Sequence, residues 1–145
     1  MATFGKINDF VEHTAEKVHN LASDQFVLAL SNTAPGSETS NPQSDGNGIL
    51  ANVTQIAYTN LSSRNITTTS SAQTGGTYKL VLTDLTLTAS GDVATFRYVY
   101  VYNDTPTSPA DPLICVYDYG SAVTMHIGET FLVDFDATNG LLQIA

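Results

Sequence analysis

The sequence predicts a mainly β protein, an antiparallel β-sandwich of jelly-roll type preceded by one N-terminal α-helix. Three observations predict it. Apolar residues recur at spacings of three and four only in the first twenty or so positions, and from Gln25 onward the period is two. Turn residues punctuate the later chain about every ten residues, as they do in all-β sandwiches and barrels. Only 13% of the 145 residues are charged, about half the share of roughly 25% usual in globular domains, while 20 Thr and 12 Ser supply the polarity. Outward-facing strand positions favour Thr.

The elements follow in order. Phe4, Ile7, Phe10, Val11, Ala15, Val18 and Leu21 make one apolar helical face, with Glu12, His13, Glu16, Lys17 and His19 on the rest. This predicts a helix over 7–20 that docks on its own domain or on a neighbour. QFVLALS is the first strand. The stretch from Asn32 to Gly48 has no periodicity and predicts a long surface loop. ILANVTQIAY and RNITTTSSA read as strands, and Gly75–Gly76 as a turn. In TYKLVLTDLTLTAS the apolar phase slips once near Asp84, which predicts a bulge or a bend between sheets. Ser90–Asp92 is a tight turn. VATFRYVYVY alternates most strongly, with Ala94, Phe96, Tyr98, Tyr100 and Tyr102 on one face. Three prolines make NDTPTSPADP a loop. LICVYDYG is a buried strand, SAVTMHI a short one and ETFLVDFDA a longer one. Asn139–Gly140 predicts a hairpin that returns LLQIA onto it. The organisation is a single domain in two parts, an arm over 1–22 and a β-sandwich over 23–145. Trp is absent and Cys115 is the only cysteine, so the landmarks of an immunoglobulin core are missing.

Charge and cysteine content exclude whole classes of function. Five Lys and Arg against 14 Asp and Glu give a net charge of -9. Clustered basic residues, which nucleic acid and anionic membranes require, are lacking. No apolar run is long enough for a spanning helix, and MATFGKINDF carries no signal-peptide core, so a chain made in the cytosol is expected. One cysteine permits neither an internal disulfide nor a cysteine zinc site.

No residues form a recognisable catalytic, cofactor or metal constellation. Glu12, Glu16 and His19 could share a helix face as metal ligands, but they read as solvated polar positions, and His13 and His19 fall on different faces. DFDATNG fails as a calcium loop, because its sixth position is Asn139 and its twelfth is Ala145. Asp118, Asp134 and Asp136 could act as paired carboxylates of a hydrolase, or simply face solvent. Cys115 reads as a small core residue. The tyrosine row, joined by Tyr117 and Tyr119, is either a sheet face held by cross-strand aromatic pairs, a protein contact surface, or a sugar platform. The candidate interaction surface is therefore Phe4, Ile7, Phe10 and Val11 on the helix together with Tyr98, Tyr100 and Tyr102.

Taken together, INDFVEHTAEKVHNL, VLALSNTAP, QTGGTYKLVLTDLTLTASG, FRYVYVYNDT, PLICVYDYGS and GETFLVDFDATNGLLQIA resemble a family of small virion proteins of tailed bacteriophages. The resemblance covers nearly the whole chain, most firmly 73–145. It implies a jelly-roll capsid decoration, or cement, protein that binds the major capsid protein on the outer shell, often as a trimer, after synthesis in the bacterial cytoplasm. Tail or neck structural proteins share such folds and are the alternative within this class. A carbohydrate-binding module using the tyrosine face is the alternative outside it. The polar stretch 37–48 is longer than the family pattern.

Overall fold

The computed structural model describes residues 2–145, with 47% of residues in strands and 9% helical. The strands are β1 (Thr3–Lys6), β2 (Phe26–Ser31), β3 (Asn65–Ile66), β4 (Thr68–Thr74), β5 (Thr77–Leu82), β6 (Leu85–Thr88), β7 (Val93–Asn103), β8 (Leu113–Met125), β9 (Thr130–Val133) and β10 (Leu142–Ile144), and the one α-helix is α1 (Asp9–Ala15). Every ladder is antiparallel. A five-stranded sheet has the order β1-β8-β7-β2-β3, a three-stranded sheet β10-β5-β4, and a two-stranded sheet β6-β9.

Burial of β2 explains how these parts stack. FVLAL is an unbroken apolar run, and it and the following Ser31 are all buried, which requires cover on both faces of the sheet. Phe26, Leu28 and Leu30 join Leu80, Leu82, Leu87, Phe96, Val101 and Phe135, so one face packs against the two smaller sheets. Val27 and Ala29 join Ile7, Val53, Tyr98, Tyr100, Tyr102 and Leu113, and here the cover is Phe10, Ala34 and Leu50 from the helix and the long connection. Where β3 ends, the free edge of β2 is closed piece by piece. Leu28 N–H donates to the Arg64 carbonyl at 2.9 Å, and the Arg64 guanidinium donates back to the Leu28 carbonyl. Leu30 N–H donates to the Tyr58 hydroxyl at 2.9 Å, and Ile56 N–H to the Leu30 carbonyl at 2.9 Å. The guanidinium of Arg64 lies 3.6 Å from the centre of the Tyr58 ring and fixes that plug by a cation–π contact.

The N-terminus differs from the helix expected over 7–20. Residues 3–6 are the outer strand of the five-stranded sheet, with Phe4 opposite Tyr117, and Ile7 is wholly buried. The expected arm 1–22 therefore packs onto the β domain through a strand as well as a helix. The helix spans only Asp9–Ala15 and buries no residue completely. It ends in a Schellman turn: Val18 N–H donates to the His13 carbonyl at 2.8 Å, Lys17 N–H to the Thr14 carbonyl at 3.4 Å, and Lys17 takes φ 64°. Glycine usually marks that position, so a lysine there hides the stop.

The loop at 32–48 is a loop, as expected, and it is tied down. Asp9 accepts Gly46 N–H and Gly48 N–H, each at 2.8 Å, one on each carboxylate oxygen. Gln43 donates to the Lys6 carbonyl at 3.0 Å. Gly48 permits this approach: a β-carbon there would lie 2.9 Å from both Ile7 Cγ2 and Asp9 Cβ. Gly48→Ala is expected to cost about 1–3 kcal/mol through overpacking. Urea unfolding checks this, and an unchanged midpoint would mean the loop is not seated on Ile7 and Asp9.

Other strand expectations divide. The Gly75–Gly76 turn joins β4 to β5 with both glycines at positive φ, 60° and 84°. The slip at Asp84 marks the chain crossing from the three-stranded to the two-stranded sheet. ILANVTQIAY, however, is a 3-10 turn at Leu50–Asn52 and irregular chain that touches the sheet edge through single bridges at Ile49 and Gln55 and covers it with Leu50, Val53 and Ile56. SAVTMHI is not separate, since β8 runs from Leu113 to Met125. Asn139–Gly140 does not close a hairpin. Asp136 accepts Thr138 N–H and Asn139 N–H, each at 2.8 Å, and this turn sends β10 to pair with β5.

Candidate interaction surface

Ladder irregularities decide where the aromatic residues point. The β7–β8 register shifts between Val93 and Phe96 and again between Phe96 and Tyr98, where β8 carries extra residues around Gly120. Each shift moves side chains to the other face. Phe96 therefore joins the core between the sheets, whereas Tyr98, Tyr100 and Tyr102 lie on the opposite face beneath the helix and long connection. Their exposures are 8%, 0% and 6%, so the row is core and offers no platform to a partner or a sugar. Ile7, also expected in the contact surface, is buried, and Phe10 is half-buried against both clusters. Phe4 and Val11 are exposed, at 54% and 56%.

What the sequence missed is an apolar cleft of about 330 Å³ lined by Ala2, β7, β8 and the segment 131–135 that contains most of β9. Its buried lining residues are Val99 and Phe135, and Tyr117, Tyr119, Phe131 and Leu132 are the large side chains among the others. Phe131 stacks edge-on against both Phe96 and Tyr119 with ring centres 5.2 Å apart, and Phe4 meets Tyr117 edge-on at 5.6 Å. Phe4, Tyr119 and Leu132 thus hold large apolar area in solvent, with the outermost strands of two sheets, β1 and β9, on either side. Apolar residues at consecutive positions in TFLV were the available signal, because an edge strand with one wet face should alternate.

The carboxylates do not converge on this cleft. Asp134 alone of the three candidates lines it. Asp118 forms a bidentate pair with Arg97 at 2.7 and 2.8 Å, and hydrogen bonding from that guanidinium holds its carboxyl below the usual range. Asp136 is held low first by the Asn139 backbone N–H in its own turn. A general acid needs a pKa raised toward neutrality, the opposite displacement. Cys115 is 1% exposed, and burial pushes its thiol up to about 12, so at neutral pH it stays a thiol within the core. Glu12, Glu16 and His19 do not assemble, and among the described residues no three acidic, His or Cys side chains are placed to hold a metal ion. No helix of the described residues is long and apolar enough to cross a membrane.

Fold and surface together define an antiparallel, mainly β protein whose most distinctive surface feature is an aromatic cleft at sheet edges. No family model, curated protein or solved structure matches the chain.

Proposed function

We propose that the chain is a structural virion protein of a tailed bacteriophage, a decoration protein that binds the major capsid protein on the outer shell and stabilises it. The finer architecture we assign is a sandwich of jelly-roll type, the five-stranded sheet facing the two smaller ones. One observation carries the reading: Tyr119 and Leu132 in the cleft and Phe4 beside Tyr117 expose large apolar side chains next to one another, whereas Val11, Ile127 and Ile144 stand outside the cleft, on a surface rich in Thr and Ser and sparse in charge. Exposed apolar patches of this kind mark protein contact sites. The resemblance of the sequence to small phage virion proteins names the partner. The carbohydrate alternative has lost its platform, since the three tyrosines are covered.

The experiment mixes the protein with purified shells lacking it, followed by co-sedimentation and cryo-EM. Saturable binding is expected. Phe4→Asp with Leu132→Asp should weaken it by about tenfold or more, because a buried Phe or Leu contributes roughly 1.5–3 kcal/mol, while the thermal midpoint stays within a few degrees of the parent. Density on tails or necks in place of the shell would overturn the capsid assignment. Full binding by the double variant would overturn the contact surface.

A further inference from the structure

The connection between α1 and β2 is fastened by a buried polar node. His19 is 8% exposed, although the chain has little buried polarity elsewhere. The Schellman turn folds it back so that its ring lies 5.2 Å from Phe10 and 5.9 Å from His13. The expected separation of the two histidines on a longer helix is thereby removed.

Hydrogen bonding at Asn103 fixes the state of the ring. Asn103 Oδ1 accepts Thr105 N–H at 3.1 Å, so its other atom is the donating amide nitrogen. That Nδ2 donates to Asp24 Oδ2 at 2.6 Å and to His19 Nδ1 at 3.1 Å. Nδ1 must therefore be bare, and the ring's proton is on Nε2, which is buried with no partner. The same Asp24 oxygen accepts Asn20 N–H at 2.7 Å, which ties the connection to the end of β7.

We infer that His19 is an acid-sensitive latch: a proton on Nδ1 sets a donor against the Asn103 donor and releases residues 16–24. Release widens the cleft that Lys17 and Leu21 share with Tyr78 and Ile144 of the three-stranded sheet. The charged and titratable neighbours are few. His13 on the helix opposes a second positive charge, Asp24 favours it, and Lys17 and Tyr78 border the cleft. Burial outweighs these, and the ring titrates at about 4 in place of the ordinary 6.5. Because the released ring binds the proton more tightly than the latched one, opening grows as pH falls from 6.5 toward 4, by at most about tenfold per unit.

Hydrogen exchange at Val18, Asp24 and Gln25, corrected for the intrinsic pH dependence of exchange, tests the latch. Opening should increase about fortyfold from pH 6.5 to 4.5 in the native protein. It should stay level in His19→Asn, whose amide oxygen accepts the same bond and does not titrate. A level native profile, or an equally steep one in His19→Asn, overturns the inference. Should His19→Asn not fold, an NMR titration of the His19 ring in the native protein decides: an inflection below about 5.5 supports the latch and one above it overturns it.

Discussion

Tyr100→Ala is expected to destabilise the protein by about 3–5 kcal/mol, whereas Tyr100→Phe should be neutral or mildly stabilising. Tyr100 is the largest of the wholly buried side chains, packed with Ile7, Val27, Ala29 and Leu113 beneath Leu50 and Val53. Removing its ring leaves a cavity that strands on one side and a tethered loop on the other cannot close. Its hydroxyl, however, is buried without a hydrogen-bond partner, and burial pushes its ionisation well above the ordinary tyrosine range. Deleting that oxygen removes an uncompensated desolvation cost and leaves no orphan behind. Urea unfolding of the two variants checks both statements. A cost under about 0.5 kcal/mol for alanine would mean the tyrosine row is a solvent-facing surface after all. A loss above about 1 kcal/mol for phenylalanine would mean the hydroxyl has a partner.

Gly140→Ala is expected to cost about 3 kcal/mol or more and to loosen the C-terminal strand. Gly140 has φ 78°, in the left-handed region, which costs a residue with a β-carbon roughly 1–2 kcal/mol. An added β-carbon would also sit 2.5 Å from the Leu80 carbonyl oxygen. That oxygen already accepts Leu141 N–H at 2.7 Å, and both groups are backbone, so no side chain can swing aside. Relief requires β10 to move off β5, which breaks the ladder from Leu142–Leu80 to Ile144–Tyr78. The expected signature is a lower thermal midpoint together with faster hydrogen exchange over 141–145. Unchanged values for both would show that the strand does not depend on this turn.

Local chemistry in the sequence anticipated features that depend on local chemistry. The change of period at Gln25, the double-glycine turn and the slip at Asp84 each survive as a strand boundary, a hairpin and a crossing between sheets. Features set by distant partners were misread. Phe4 and Ile7 satisfy a helical spacing, yet β8 draws residues 3–6 into a sheet. Lys17 in a position usually given to glycine concealed the end of the helix. Asn139–Gly140 carries a hairpin signature, but the Asp136 side chain shapes that turn and β5 offers the partner strand.

The candidate surface was less legible than the fold. Alternation in FRYVYVY identifies two faces without saying what covers either. The cover comes from 34–53, a segment whose polar composition advertises solvent, and the register shifts around Phe96 are invisible without β8. The cleft joins Ala2 at one end of the chain, Val99 of β7, and Tyr117, Tyr119 and 131–135 near the other, so no window of sequence displays it. Of the residues the sequence singled out, Tyr117, Tyr119 and Asp134 line it, and of the seven proposed contact residues only Phe4 stands beside it, through its contact with Tyr117.

The plug formed by Tyr58 and Arg64 bears on how copies could meet. It closes the part of β2 that the two-residue β3 leaves unpaired, while among the described residues β1 at the other end has no strand beyond it. When two copies of such a sheet meet through that border, they can pair antiparallel about a two-fold axis. That arrangement uses up both borders at once and stops. On that side the two-residue β3, Ile56 and the tyrosine–arginine plug together leave little of β2 for head-to-tail growth into fibres, the hazard of sheets open at both ends.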